Sequence, residues 1–219
     1  MTSVDETLLA DYQTDPAILK IREALLSPII SDGADEIKRD GQRGAAVLIP
    51  LVKRRVEATL IWHVILTQRP ETMPSHPGQI AFPGGKREAG EAILQTALRE
   101  TEEEIGVGAR DIKIIGRMPS FNAVSEYRVT PFVGLVSANA VITPDPREVA
   151  DVFEVPLDFL MNPENHVPRI VSYENREIHL TDMPYTGDDG IYRNIWGMTA
   201  MTIFRLYQRS ELGVFEVDY

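Results

Sequence analysis

The feature that most constrains this chain is the stretch from Gly85 to Val107, GKREAGEAILQTALRETEEEIGV, which follows directly on the turn Phe82-Pro83-Gly84-Gly85. Two adjacent glycines permit a sharp bend and a close approach that side chains would block. The residues after them read as one short helix with Glu100, Glu103 and Glu104 at i, i+3 and i+4, so the three carboxylates share one helical face. Like charges at this spacing destabilise an isolated helix. A divalent cation seated among them relieves the repulsion, because hard cations such as Mg²⁺ take carboxylate, water and phosphate oxygens. The alternative is a solvated acidic face, common in a chain whose formal net charge is -11.

Gly85, Glu91, Arg99, Glu100, Glu103, Glu104, Gly106 and Val107 fall in register with the Nudix box, and the chain resembles that family of hydrolases. The one departure is Thr101, where the family carries an aliphatic residue; it is expected on the core side of the helix with Leu94, Leu98 and Ile105. The resemblance implies hydrolysis of a nucleoside diphosphate linked to another group, with Mg²⁺ or Mn²⁺ as cofactor.

Composition narrows the setting. At 219 residues the chain is long enough for one large domain with a real core, and its 43% hydrophobic and 25% charged residues are those of a soluble globular protein. No apolar run approaches the ~20 residues that a membrane-spanning helix needs. The acidic start MTSVDETLLADYQTD lacks the basic and apolar regions of a secretory signal, so the expected compartment is the cytoplasm. Cysteine is absent, which excludes disulfides, zinc-thiolate sites and cysteine nucleophiles. The acidic balance argues against a nucleic-acid-coating surface and leaves an anionic substrate to be held by metal ions and a local basic cluster.

Residues 1–43 read as an N-terminal extension with one amphipathic helix, about Pro16 to Leu26, capped by Asp15. Ser31 to Arg43 reads as a polar loop, and residues 44–219 as the hydrolase domain. Strands are expected at Ala45–Leu51 and Thr59–Thr67, with the charged turn Lys53-Arg54-Arg55 between them, then at Asp111–Met118 and Val129–Val136. An acidic turn, a short helix near Pro156–Met161, a hairpin (Arg169–Tyr173 with Ile178–Leu180) and a helix from Gly197 to Gln208 follow. This order predicts an α+β fold, a mixed β-sheet sandwiched between helices (α/β/α), the arrangement that the Nudix resemblance implies.

A second pattern is more discriminating. Ile65-Leu66-Thr67-Gln68-Arg69, followed after eight residues by Gly78-Gln79-Ile80-Ala81-Phe82-Pro83-Gly84-Gly85, resembles the signature of the coenzyme A diphosphatase branch. Tyr127-Arg128-Val129-Thr130-Pro131, Glu148-Val149 and Ile195-Trp196-Gly197-Met198-Thr199-Ala200 also resemble that branch. Pro70 replaces a serine of the signature and Pro74 a second arginine, which implies weaker binding of one substrate phosphate.

The resemblance assigns Glu100, Glu103 and Glu104 as metal ligands, with the Gly85 carbonyl as a further one. Gly84 and Gly85 let a phosphate approach, and the N-terminus of the following helix is expected beside them. Glu91 and Arg99 are expected to pair, with Arg99 also orienting a metal carboxylate. Water attacks one phosphorus, with Glu103 or Glu148 as general base and Glu103 slightly ahead. Arg69 is the first choice for the 3′-phosphate of coenzyme A, ahead of Lys86, Arg87 and Arg128, because its planar fork grips phosphate oxygens. A salt bridge that ties down the proline loop is the competing role for Arg69. The implied substrate is coenzyme A or an acyl derivative; ADP-ribose or another nucleoside-diphosphate sugar is the alternative, and a non-catalytic nucleotide-binding module the third reading. A homodimer is also implied.

His63, His76, His166 and His179 show no metal-ligand spacing. His63 reads as structural, and His76 as either substrate-contacting or loop-bracing. Trp62 and Trp196 read as core or interface residues, and Asp188-Asp189-Gly190 as a turn rather than a calcium loop.

Overall fold

Aliphatic and β-branched runs fold as strands here and the periodic charged segments as helices, as their propensities dictate. The computed structural model describes residues 6–27, 41–73, 76–123, 126–173 and 176–214. The elements run α1 (Glu6–Thr14), α2 (Pro16–Ala24), β1 (Arg43–Val56), β2 (Thr59–Gln68), β3 (Ile80–Ala81), β4 (Gly84–Lys86) and α3 (Ile93–Ile105). There follow β5 (Ile112–Arg117), β6 (Phe121–Asn122), β7 (Tyr127–Val136), β8 (Asp151–Pro156), α4 (Leu157–Met161), β9 (Val167–Tyr173), β10 (Arg176–Thr186), β11 (Tyr192–Ile195) and α5 (Gly197–Glu211).

β1 is the centre of a mixed sheet. It runs parallel to β7 and antiparallel to β2 and β4; β3 and β8 flank β2, and β5 and β6 flank β7. β9, β10 and β11 form a separate antiparallel sheet. Ala46, Leu48, Ile49, Leu51 and Val52 are all buried, without the alternation of a half-exposed strand, because both faces of β1 are covered. On one face α3 packs over Ala46, Leu48, Val52, Ile65 and Phe132. On the other, Ile18 and Ile21 of α2 and Ile203 and Leu206 of α5 meet Ile49, Leu51, Leu66 and Leu135. This is the expected α/β/α layering, and each fully buried aliphatic side chain contributes roughly 1.5–3 kcal/mol.

Three expectations change. The charged run Lys53-Arg54-Arg55 lies within β1, and the hairpin bends instead at Glu57, whose φ is 53°. Its first two charges are consumed by packing: Lys53 Nζ donates to Asp11 Oδ1 at 2.8 Å and Asp15 Oδ2 at 2.7 Å, and Arg54 donates two bonds of 2.7 and 3.1 Å to Glu154 Oε1. Part of the expected acidic turn is β8, which pairs with β2 along its length. Helix α1 is additional; Leu8 is its one buried residue, so its amphipathic signal is weak.

Other readings hold. Asp15 caps α2 by accepting from the Ala17 and Ile18 amides, His63 Nδ1 bonds the Ile61 carbonyl, and Trp62 is buried. Asp188 and Asp189 form a turn, with Asp189 paired to Arg193. Trp196, by contrast, is 40% exposed beneath Arg169. Most of the loop between α2 and β1, residues 28–40, lies outside the described residues.

Lys53 therefore links the N-terminal helices to the sheet. Burial opposes its charge, but Asp11 and Asp15 outweigh it and hold its pKa above the ordinary value; Asp15, also opposed by burial, is held below its own. The stabilisation by Asp15 is present above its unfolded value of 3.8 and lost as pH falls through the lower folded value. Lys53→Met is expected to cost about 1–3 kcal/mol at neutral pH, roughly 2–10 °C in Tm, with the deficit shrinking in acid. Equal thermal melts of the two proteins at neutral pH would remove the bridge from the stability of the fold.

Candidate active site

Helix α3 carries the site. Its inner face is Thr96, Ala97, Thr101, Glu104 and Ile105, all buried, with Leu94 and Leu98 at the margin. Thr101 replaces an aliphatic residue without stranding a polar group, because its hydroxyl donates to the Ala97 carbonyl at 2.7 Å. Glu104 points inward on the same side and is 5% exposed, whereas the Glu103 side chain is 55% exposed. The shared glutamate face expected from spacing is thus split by burial.

Strand β4 runs against this half of the helix. The Gly84 amide donates to Glu104 Oε2 at 3.2 Å. A Cβ on Gly84 would lie 2.4 Å from the Ala46 carbonyl oxygen, and one on Gly85 would lie 2.4 Å from the carboxylate carbon of Glu100. Backbone contact and a φ of 156° therefore demand glycine at position 84, whereas a side chain at position 85 would displace the Glu100 carboxylate. The N-terminus of α3 is elsewhere: the helix begins at Ile93, about 16 Å along the axis from Glu104. The glycines meet the C-terminal half of the helix, so the expected dipole contact is not made.

Arg99 organises the outer carboxylates. Its Nε donates to Glu91 Oε1 at 2.9 Å, Nη1 to Glu100 at 3.0 Å and Glu103 at 2.8 Å, and Nη2 to the Lys86 carbonyl at 3.0 Å. The expected Glu91–Arg99 pair is present, and Arg99 together with the Thr96 hydroxyl and the Glu88 amide holds the Glu91 carboxyl down to about 2. Because Arg99 stands between Glu100 and Glu103, the glutamates do not converge as a closed set. Among the described residues, no three histidine, cysteine, aspartate or glutamate side chains form a ready metal cage.

Glu100 and Glu104 instead face β4 as a crowded acidic pair. Burial raises the Glu104 pKa to about 8, with Glu100 and Glu148 adding to the rise and the Gly84 amide and Arg69 opposing it. Burial also raises Glu100, against Arg99. Two partly desolvated carboxylates beside a glycine strand fit a hard divalent cation, which needs only one or two protein carboxylates.

Glu148 reaches this pair through backbone bonds that tie its loop to the end of α3: Thr143 donates to the Ile105 carbonyl at 2.8 Å and Asp145 to the Glu104 carbonyl at 3.0 Å. No sequence pattern announces those bonds. Arg69, at the end of β2, acts electrostatically on Glu104; its Nε is buried without a hydrogen-bond partner, and among the described residues its guanidinium forms no ion pair. The salt-bridge role for Arg69 is therefore not seen. His76 is exposed at φ 54°, and its carbonyl accepts from Gln79, whose own carbonyl accepts from the Arg69 amide. Lys86 is exposed, with Nζ 5.7 Å from the Tyr127 ring centroid. Pro74 lies outside the described residues.

A helix of glutamates packed on a double-glycine strand within an α/β/α sandwich is the arrangement that the Nudix resemblance implied. The Nudix domain profile matches residues 42–174, more than half of the chain, and the chain belongs to the Nudix family, hydrolases of nucleoside diphosphate derivatives that generally use Mg²⁺ or Mn²⁺. Over 173 residues it is 38% identical to the "Uncharacterized Nudix hydrolase NudL" of Yersinia pestis (strain Pestoides F), covering 78% of this chain and 81% of that protein. The same figures apply to the protein of that name from Yersinia pseudotuberculosis serotype O:1b (strain IP 31758). The crystal structure of a Nudix hydrolase from M. smegmatis, RenU, aligns with a TM-score of 0.46 and 21% identity over 58% of this chain and 81% of that one. No helix among the described residues is long and apolar enough to cross a membrane.

The Glu104 shift has a definite sign. The unfolded state releases this proton near 4.5 and the native state near about 8, so ionisation increasingly opposes folding as pH rises between those values. In excess EDTA, the stability of wild type is expected to fall between pH 5 and pH 8 by more than that of Glu104→Gln, with the variant the more stable at about pH 8. Urea unfolding across that range tests this, and parallel pH profiles would show that Glu104 is not a strained acid.

Proposed function

We propose that this chain is a coenzyme A diphosphatase, cleaving coenzyme A and its acyl derivatives to 4′-phosphopantetheine (or the acyl form) and adenosine 3′,5′-bisphosphate. The observation that carries the reading is Arg69: it closes the first block of the segment that resembles the branch signature, and its guanidinium, without an ion pair among the described residues, acts electrostatically on Glu104. A cationic fork beside the carboxylates, unpaired with any acid among the described residues, suits the oxygens of a bridging diphosphate.

Glu100 and Glu104 are the proposed principal ligands of Mg²⁺ or Mn²⁺, with Glu103 and the Gly85 carbonyl completing the set. When bound, the metal lowers the pKa of a ligated water and neutralises charge on the phosphate oxygens. Gly84 and Gly85 do not open space for a phosphate, as their lack of side chains had implied: Ala46 and Glu100 fill the directions their side chains would take, so the glycines serve the close packing of β4. Arg99 orients Glu100 through its 3.0 Å bond. Glu148 rather than Glu103 is the proposed proton acceptor, since the Glu103 carboxylate is held by Arg99 at 2.8 Å while Glu148 acts on both Glu100 and Glu104 from its loop. In the reaction the water oxygen bonds to one phosphorus, its proton passes to Glu148, and the bridging P–O bond breaks to release the other phosphate. Attack at either phosphorus gives the same two products.

A second reading, hydrolysis of ADP-ribose or another nucleoside-diphosphate sugar, is favoured by one observation: Pro74 replaces an arginine of the signature. A panel of coenzyme A, acetyl-coenzyme A, ADP-ribose, NADH and diadenosine polyphosphates, assayed with Mg²⁺ and with Mn²⁺, is expected to show the highest kcat/KM for the two coenzyme A compounds. A clear preference for ADP-ribose would replace the reading. Because Arg69 acts at the metal carboxylates, Arg69→Ala is expected to lower kcat/KM for coenzyme A and dephospho-coenzyme A alike, each by about tenfold or more. A loss confined to coenzyme A would return Arg69 to the 3′-phosphate.

A further inference from the structure

Beyond Arg69, the site has a second group of cations, adjoining Gly85. β7 sets Tyr127 opposite Arg43 at the start of β1, and β4 sets Lys86 opposite Ala45, two residues further along the same strand. Residues two apart on a strand point to the same face, so Arg43, Tyr127 and Lys86 share one face of the sheet. Arg43 and Lys86 both act electrostatically on the Tyr127 phenol, and Lys86 Nζ lies 5.7 Å from the centroid of its ring. Among the described residues, neither cation is paired with a carboxylate. In a chain of net charge -11, two cations gathered on one phenol form a persistent local anode. It adjoins the reacting centre: Lys86 follows Gly85, which packs on Glu100, and the Lys86 carbonyl accepts from Arg99 at 3.0 Å.

We propose that Arg43, Lys86 and Tyr127 form a subsite for a terminal phosphomonoester on the nucleoside half of the substrate. The proposal rests on the diphosphatase reading and deepens it. A phosphomonoester brings a charge of about -1.5 to -2 and three strong acceptor oxygens, which match a guanidinium, an ammonium and a phenol O–H. The division of labour follows from position: Arg69, acting on Glu104, serves the bridging diphosphate, and the Tyr127 pole serves the phosphate that distinguishes one nucleotide from another. Arg43 lies at the border of the N-terminal extension and outside both motifs, so no sequence pattern points to it.

The test is calorimetric binding of adenosine 3′,5′-bisphosphate, adenosine 2′,5′-bisphosphate and 5′-AMP to wild type, Arg43→Ala, Lys86→Ala and Tyr127→Phe, with circular dichroism to check folding. Wild type is expected to bind a bisphosphate about tenfold or more tighter than 5′-AMP, and the two cation variants to cut that preference to below about threefold. No preference in wild type, or an unchanged preference in both cation variants, would overturn the subsite. Should Arg43→Ala not fold, Lys86→Ala at an exposed position decides the matter. A preference for the 2′-phosphate upholds the subsite and counts against coenzyme A, as does a preference for the 3′-phosphate in a protein that leaves coenzyme A intact.

Discussion

The close approach of β4 to its two neighbours is the constraint from which the rest of the site follows. Strand β4 is pressed between the backbone of β1 and the C-terminal half of α3, where a single methyl group on Gly84 or Gly85 would meet other atoms at 2.4 Å. That proximity brings the Gly84 amide onto Glu104 and turns an acid at a helical core position into part of a polar centre. Burying a carboxylate with few partners is unfavourable. The strain appears as a Glu104 pKa of about 8, and a divalent cation held there as proposed would relieve it. Stability without metal and affinity for metal are therefore opposite faces of one arrangement.

An acidic protein that binds anions must keep some cations free of its own carboxylates, and here they separate by position. Lys53, Arg54 and Arg193 are paired with acids that join the N-terminal helices, the sheet and the second sheet. Arg99 is saturated by the glutamates and a carbonyl, which makes it a scaffold for the site. Arg69, Arg43 and Lys86 differ in having no carboxylate ion pair among the described residues; Arg69 acts on Glu104, and Lys86 follows Gly85, which packs on Glu100. In the proposed complex a diphosphate would therefore meet local cations beside the carboxylate pair, despite the overall charge.

Much of this was legible in one dimension, for local reasons. The two long strands, the Asp15 cap, the Glu91–Arg99 pair and the double glycine depend on neighbours within a few residues or on a run of one residue type. The misses are places where a distant partner changed the meaning of a residue. Lys53 and Arg54 read as a solvated turn until Asp11, Asp15 and Glu154, 42, 38 and 100 positions away, supplied their charges' partners. β8 is acidic at its start and becomes a strand because β2 offers it an edge. Glu103 and Glu104 looked equivalent because spacing carries no information about which side of a helix the sheet will cover.

The amino-acid sequence by itself determined the class of chemistry: an oxygen-rich acidic helix after a double glycine, in a cysteine-free chain, points to a hard metal, and its register with the Nudix box implies a phosphoanhydride. Only the tertiary structure decided how that chemistry is distributed, with Glu104 buried, Glu103 outside on Arg99, Glu148 brought in by backbone bonds to the end of α3, and Arg43 beside Lys86. The physical reason is that residue type sets what a group can bind, whereas desolvation and long-range neighbours set its charge state and its availability, and these exist only once the layers have packed.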